Sequence, residues 1–260
     1  MNESELNASI LSRLQWSGIK GAPTSNMFWV DYRFAGNKSA VGMNVNLTSY
    51  GETKITDVLA NYSYTIRVSD RFKLAMGLRA GVSMMKINPL PADKIWDEND
   101  RFKQSSFVNQ NMFLTGCGFR LTDKRFYVGL SAPDLITYDK YNVYGNDGKS
   151  FFAKKRNYSV VSGYKIQLTD AYALSPNLMV LYYPQSKVRT DLNANFEIRD
   201  YFWAGATYST SYFHSFIVGA HVSSTLRASY AFQFGLGRDI PSKFFTHEIG
   251  VILNLDARKK

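Results

Sequence analysis

Histidine and cysteine supply most of the nucleophiles, proton carriers and soft metal ligands a protein can offer. This sequence holds three of the first and one of the second. The histidines are His214, His221 and His247. None stands in a metal-ligand spacing such as H-x-x-x-H, and His247-Glu248 is only the first half of H-E-x-x-H. Ser215 and Ser223 are near them in sequence, but a hydrolase needs serine, histidine and an orienting polar group together. No nucleophile-elbow pattern surrounds either serine. His214 reads as a loop residue and His221 as facing a lumen. Cys117 alone permits no intrachain disulfide and no zinc site built from several cysteines. Gly116-Cys117-Gly118 is no phosphate cradle, because no helix follows it. The sequence therefore reads as non-enzymatic, with no catalytic, metal or cofactor-binding residues.

Charged clusters read equally plainly. Asp93, Asp97, Glu98 and Asp100 lack the turn glycine and terminal glutamate of a calcium loop, and suit a solvated outer loop. Lys154-Lys155-Arg156 suits a charged strand end or contact with anionic headgroups. The net charge is +10, from 31 Lys and Arg against 21 Asp and Glu. These charges are scattered, with no basic helix and no aromatic RNA-binding signature, which argues against nucleic acid.

The elements that carry these residues are written in strict alternation. In Val188–Arg199 one face reads Val188, Thr190, Leu192, Ala194, Phe196, Ile198, and the other Arg189, Asp191, Asn193, Asn195, Glu197, Arg199. Mean hydropathy is −0.24. No apolar run approaches the ~20 residues of a spanning helix. Aromatic residues make up 15%, with 17 Tyr and 18 Phe, enough for the interfacial girdles of a membrane barrel. Alternating segments fall at Leu6–Trp16, Met27–Phe34, Val41–Thr48, Ile55–Val68, Phe72–Ile87, Asn109–Leu121 and Phe126–Ser131. They continue at Tyr158–Leu168, Tyr172–Tyr183, Val188–Arg199, Tyr201–Tyr208, Phe216–Val222, Leu226–Phe234 and His247–Leu255. The fold class this predicts is all-β, a transmembrane antiparallel up-and-down β-barrel of about 14 strands.

Short turns at Ala35–Ser39, Ser69–Arg71, Thr122–Arg125, Thr169–Ala171, Asp200 and Ser223–Thr225 alternate with mostly longer links. The longest links are Asn88–Val108 and Ala132–Asn157. In such barrels the short turns are periplasmic and the long loops extracellular. The reading is of one barrel domain over residues 1–260 in a bacterial outer membrane. Met1–Leu6 lacks a basic region followed by an apolar stretch, so the export signal and the start of the mature chain are expected to be missing from this sequence.

The predicted lumen is strongly charged. Its cations include Arg13, Arg33, Arg67, Lys73, Arg79, Arg120, Lys165, Arg189 and Arg227, and its acids Asp31, Asp57, Asp191, Glu197 and Glu248. Opposite charges could pair across the lumen and close it, or the positive excess could bias an open pore toward anions. Inward Met27, Trp29 and Tyr183 favour a filled lumen.

Several stretches, in order, resemble the PorP/SprF family of type IX secretion outer-membrane proteins. Arg13-Leu14-Gln15-Trp16 followed by Gly21-Ala22-Pro23 is similar to that family's opening signature. Val41-Gly42-Met43, Tyr62-Ser63-Tyr64, Leu78-Arg79-Ala80-Gly81-Val82 and Phe126 through Leu135 are similar to later blocks. Asp191-Leu192-Asn193, Phe202 through Ala206, Arg227 through Ala231 and His247-Glu248-Ile249 complete the pattern. The family's Asn-Pro-Ala-rich opening is missing.

The resemblance implies a non-enzymatic role in type IX secretion or gliding. Implied partners are secreted cargo bearing a C-terminal sorting domain and periplasmic peptidoglycan-associated or lipoprotein components of the machinery. Arg13, Gln15, Trp16, Gly21, Ala22, Pro23, Asp191, Asn193, His247 and Glu248 are the signature positions. Gly21-Ala22-Pro23 suits a tight turn just outside the membrane. The alternative function is a passive channel for small solutes. Loops Asn88–Val108 and Ala132–Asn157 are the expected cargo-facing surface.

Overall fold

Each alternating stretch becomes a β-strand in the computed structural model, which describes residues 6–34, 38–88, 108–139, 156–184, 186–199, 201–211, 213–235 and 245–255. The strands are β1 Leu6–Leu14, β2 Thr24–Phe34, β3 Ser39–Tyr50, β4 Thr53–Arg67, β5 Lys73–Ile87, β6 Val108–Thr122 and β7 Phe126–Asp139. There follow β8 Tyr158–Tyr164, β9 Ile166–Gln167, β10 Tyr172–Tyr182, β11 Arg189–Ile198, β12 Phe202–Ser209, β13 Phe213–His221, β14 Leu226–Gly235 and β15 Thr246–Leu255. β8 and β9 form one stave interrupted at Lys165, and both pair with β10. The described residues thus build fourteen antiparallel staves. β1 pairs with β15, and β10 with β11, so the sheet closes and leaves no edge. Closure satisfies backbone N–H and C=O groups that lipid could not.

Strand period sets which side chains meet lipid. Ile10, Phe28, Val30, Leu78, Val82, Leu130, Leu192, Val218 and Ile249 are exposed on the outer face. Aromatic pairs ring both ends of that face. Tyr32 stacks on Phe34 and Tyr172 on Phe196 near the short turns. Tyr158 stacks on Tyr182 and Phe216 on Phe234 near the long links. Inward, Leu59, Met112 and Leu114 pack together on β4 and β6, fully or nearly buried, beside Gln110.

The turns use local side-chain capture. Ser69 Oγ accepts the N–H of Phe72 at 3.1 Å, and Ser223 Oγ that of Leu226 at 3.1 Å. Each hydroxyl takes a backbone donor that the hairpin leaves outside the ladder.

Two expectations need correction. The link after the seventh strand does not begin at Ala132, because β7 continues to Asp139. It does so through a bulge in which Thr115 pairs with Ile136 and Cys117 with Ala132, leaving Pro133, Asp134 and Leu135 opposite Gly116. A bulge is where a sheet tolerates proline. A Cβ on residue 116 would come within 2.3 Å of the Pro133 carbonyl, so only glycine fits. Likewise β13 starts at Phe213, and His214 belongs to a strand, not a loop. Its ring packs on the outer face against Tyr208 and Phe234, because an imidazole suits an aromatic girdle position. The acidic cluster at 93–100, Lys154 and Lys155, and most of both long loops lie outside the described residues.

Candidate functional site: the lumen wall and the closing seam

Most of the signature positions meet where the first strand closes on the last. Arg13, second to last in β1, sits directly opposite Glu248 of β15, and their charged groups lie 3.6 Å apart. Arg13 also donates to Gln233 Oε1 on β14 at 2.5 Å, tying three adjacent staves together. The Gln15 N–H donates to the Pro23 carbonyl at 2.9 Å. Trp16 adopts φ +52°, and the next N–H, of Ser17, donates to the Phe245 carbonyl at 2.8 Å. Nested turns then run from Trp16 through Ala22. Gly21, at φ +76°, accepts the Gly51 N–H of the β3–β4 hairpin at 2.8 Å, in a conformation that favours glycine. Gly21-Ala22-Pro23 therefore closes a compact link capping the seam at its long-link end. His247 points to the outer face, where its Nδ1 shares a 2.7 Å hydrogen bond with the Tyr230 hydroxyl.

Asp191 and Asn193 stand apart, on the lumen face of β11. The Arg189 guanidinium grips Asp191 through Nε at 2.9 Å and Nη2 at 2.7 Å, and Ser209 donates to the same carboxylate. Asn193 bonds Thr207 on β12 at 3.0 Å and Asn177 on β10 at 3.1 Å. Asn177 in turn accepts from the Tyr127 hydroxyl of β7 at 3.1 Å, across the intervening β8. That reach is possible because residue 163 of β8 is glycine. A Cβ there would lie 2.3 Å from Asn177 Oδ1 and 2.6 Å from the Tyr127 ring.

The ion pairs follow the wall in the same way. Arg79 on β5 reaches Asp134 on β7 at 2.9 Å over Gly116, and Asn157 donates to the other carboxylate oxygen at 2.9 Å. Lys165 reaches Glu197 on β11 at 2.5 Å. Among the described residues these ion pairs therefore run along the wall, between staves one or two apart. Geometry explains this, since a long side chain reaches one or two strand spacings of ~4.8 Å but not a fourteen-stave diameter.

No cluster of three or more His, Cys, Asp or Glu among the described residues could hold a metal ion. His214 and Ser215 are consecutive strand residues and so face opposite sides of the wall. His221 faces the lumen, edge-on to Trp203 at 5.5 Å, as its place between Ala220 and Val222 predicts. Alternation gave no signal for the Arg79–Asp134 pair or the Tyr127–Asn177 reach. Only the inward glycines at 116 and 163 hinted that something lies across them.

Outside the membrane, Arg71 and Asp123 join two neighbouring short turns at 2.7 Å. The Arg71 hydrogen bond, helped by the Lys124 N–H, holds the Asp123 carboxyl below its usual range, and Asp123 raises Arg71 correspondingly.

Solved structures share this architecture. The Ralstonia pickettii toluene transporter TbuX is 12% identical, over 98% of this chain and 90% of that one, with a TM-score of 0.56. The CymD monoaromatic hydrocarbon channel is 10% identical, over 96% and 87%, with a TM-score of 0.55. The Pseudomonas putida toluene transporter TodX is 8% identical, over 97% and 89%, with a TM-score of 0.53. At such identities the likeness concerns the barrel fold alone. None of the curated proteins matches the chain. An outward apolar band, polar lumen and paired aromatic girdles make this an outer-membrane type of barrel. The model of the type IX secretion system membrane protein family PorP/SprF matches residues 1–253, and the chain belongs to that family.

Proposed function

We propose that this barrel is a non-enzymatic docking component of type IX secretion. Its long links engage secreted cargo bearing a C-terminal sorting domain, and its short turns meet periplasmic machinery. The observation that carries the reading is membership of the secretion family over nearly the whole chain. The wall supports it. Polar lumen groups bond to one another, and inward Leu59, Met112 and Leu114 pack into an apolar cluster. A rigid scaffold of that kind offers partners its two ends.

The test is affinity purification from the native outer membrane under mild detergent, with mass spectrometry of what co-purifies. Recovery of a surface protein with a C-terminal sorting domain, or of a peptidoglycan-associated periplasmic protein, is the expected result. Reproducible recovery of the barrel alone would overturn it. The second reading, a passive solute channel, draws on ion pairs that run along the wall and leave the lumen axis uncrossed by them. Conductance in a planar bilayer, absent for a scaffold, separates the two.

A further inference from the structure

The two halves of the lumen differ in charge balance. Toward the long links, the cations Arg13 and Arg189 sit against Glu248 and Asp191, and Arg79 at mid-wall sits against Asp134. Toward the short turns, the inward positions carry Arg33, Arg67, Lys73, Arg120, Lys165 and Arg227. Among the described residues, the inward carboxylates of that half are Asp31, which accepts from Asn7, and Glu197, which Lys165 reaches, so cations remain in excess. Arg67 stands directly opposite Lys73 across β4 and β5. Like charges in directly opposed positions destabilise a sheet. Arg120 is held over the Tyr127 ring at 4.5 Å, which fixes its guanidinium on the lumen side.

From this we infer that the short-turn mouth of the lumen is a docking site for an acidic polypeptide segment of a partner. The inference rests on the docking reading above and adds the chemistry by which the machinery side would be recognised. A low-dielectric wall with an excess of one sign of charge focuses its field into the mouth and draws in the opposite sign. A small anion does not suit the layout. From β2, which carries Arg33, to β8, which Lys165 follows, there are six inter-strand steps, about 29 Å along the wall. One phosphate touches a single sector of that arc. A chain of Asp and Glu side chains entering the mouth engages several sectors at once.

The experiment uses the whole barrel in nanodiscs and a fluorescein-labelled oligo-glutamate peptide, read by anisotropy at several salt concentrations. The triple variant Arg67→Gln, Lys73→Gln, Arg120→Gln removes three charges from the mouth. Its control, Lys20→Gln, Lys54→Gln, Lys187→Gln, removes three exposed charges from the other end. Supporting results are saturable, salt-sensitive binding that the mouth variant weakens about tenfold or more, with the control near wild type. Equal losses in both variants would mean attraction by net charge alone and overturn the inference. So would full displacement by inorganic phosphate at matched ionic strength, which would mark a small-anion site. Failure of the two readings can be told apart. Native partners that still co-purify with a barrel blind to the peptide would remove the basic mouth and spare docking. Peptide binding without native partners would do the reverse.

Discussion

Replacing Asp134 by alanine would strand the Arg79 guanidinium in the barrel wall with its carboxylate gone. The Asp134 side chain is 8% exposed and that of Arg79 27%. Breaking a fully buried pair from one side costs about 3–5 kcal/mol, whereas an exposed pair is worth about 0–1 kcal/mol. Arg79 retains partial access to the lumen, so the expected loss for Asp134→Ala is intermediate, about 1.5–3 kcal/mol. Asn157 loses its acceptor as well, which favours the upper part of that span. Removing both charges with Arg79→Met and Asp134→Leu should cost clearly less than the sum of the single variants, because no charge is left behind. The assay is guanidinium unfolding of the protein refolded into lipid vesicles, followed by tryptophan fluorescence. A loss below about 0.5 kcal/mol for Asp134→Ala, or simple additivity in the double variant, would refute the pairing as a structural tie.

Other outcomes follow from the same wall. Gly163→Ala forces a methyl against Asn177 and Tyr127 and should cost about 1–3 kcal/mol in that assay; adding Asn177→Ala should recover part of it, and no recovery would count against the cross-stave reach. Leu78 is 64% exposed at mid-strand on the lipid face, so Leu78→Arg should cost about 2–4 kcal/mol. A neutral result there would reverse the assignment of faces. Because the native Asp123 carboxyl titrates below its ordinary value, the turn-to-turn pair contributes above the unfolded pKa and is lost as acid carries pH down through the folded one. Arg71→Gln should therefore raise the Asp123 midpoint in an NMR titration, and an unchanged midpoint would exclude Arg71 as the main cause.

Period-two alternation made the fourteen staves and their faces legible, because lipid punishes an outward charge and the ladder fixes parity. It failed at the two places where parity itself breaks or the environment is mixed. Ala132-Pro133-Asp134 looks like the start of a loop, since proline and a register skip both read as strand endings. The structure instead absorbs them in a bulge opposite Gly116, and that skip is what turns Asp134 inward to Arg79. His214 looked polar enough for a link, yet at an interfacial girdle an imidazole is as much at home as a tyrosine. Pairing across the pore, one of the two arrangements the lumen charges suggested, is limited by side-chain reach. A sequence gives the parity of each charge but not which stave, one or two away, offers the partner.

The seam gives the signature residues a physical rationale that the sequence withheld. A barrel closed by its first and last strands must hold together two segments separated by nearly the whole chain, so that contact forms at high loop-closure cost. Arg13 meets Glu248 and Gln233 there, Ser17 meets Phe245, and Gly21 meets Gly51. Those contacts secure β1 at its long-link end. On the docking reading proposed above, Arg13, Gln15, Trp16 and Gly21-Ala22-Pro23 would serve closure, and partners would engage the two rims. Arg13→Ala should then loosen β1, seen as faster amide exchange along Leu6–Leu14, while partners still co-purify. Loss of partners with unchanged exchange would move recognition to the seam.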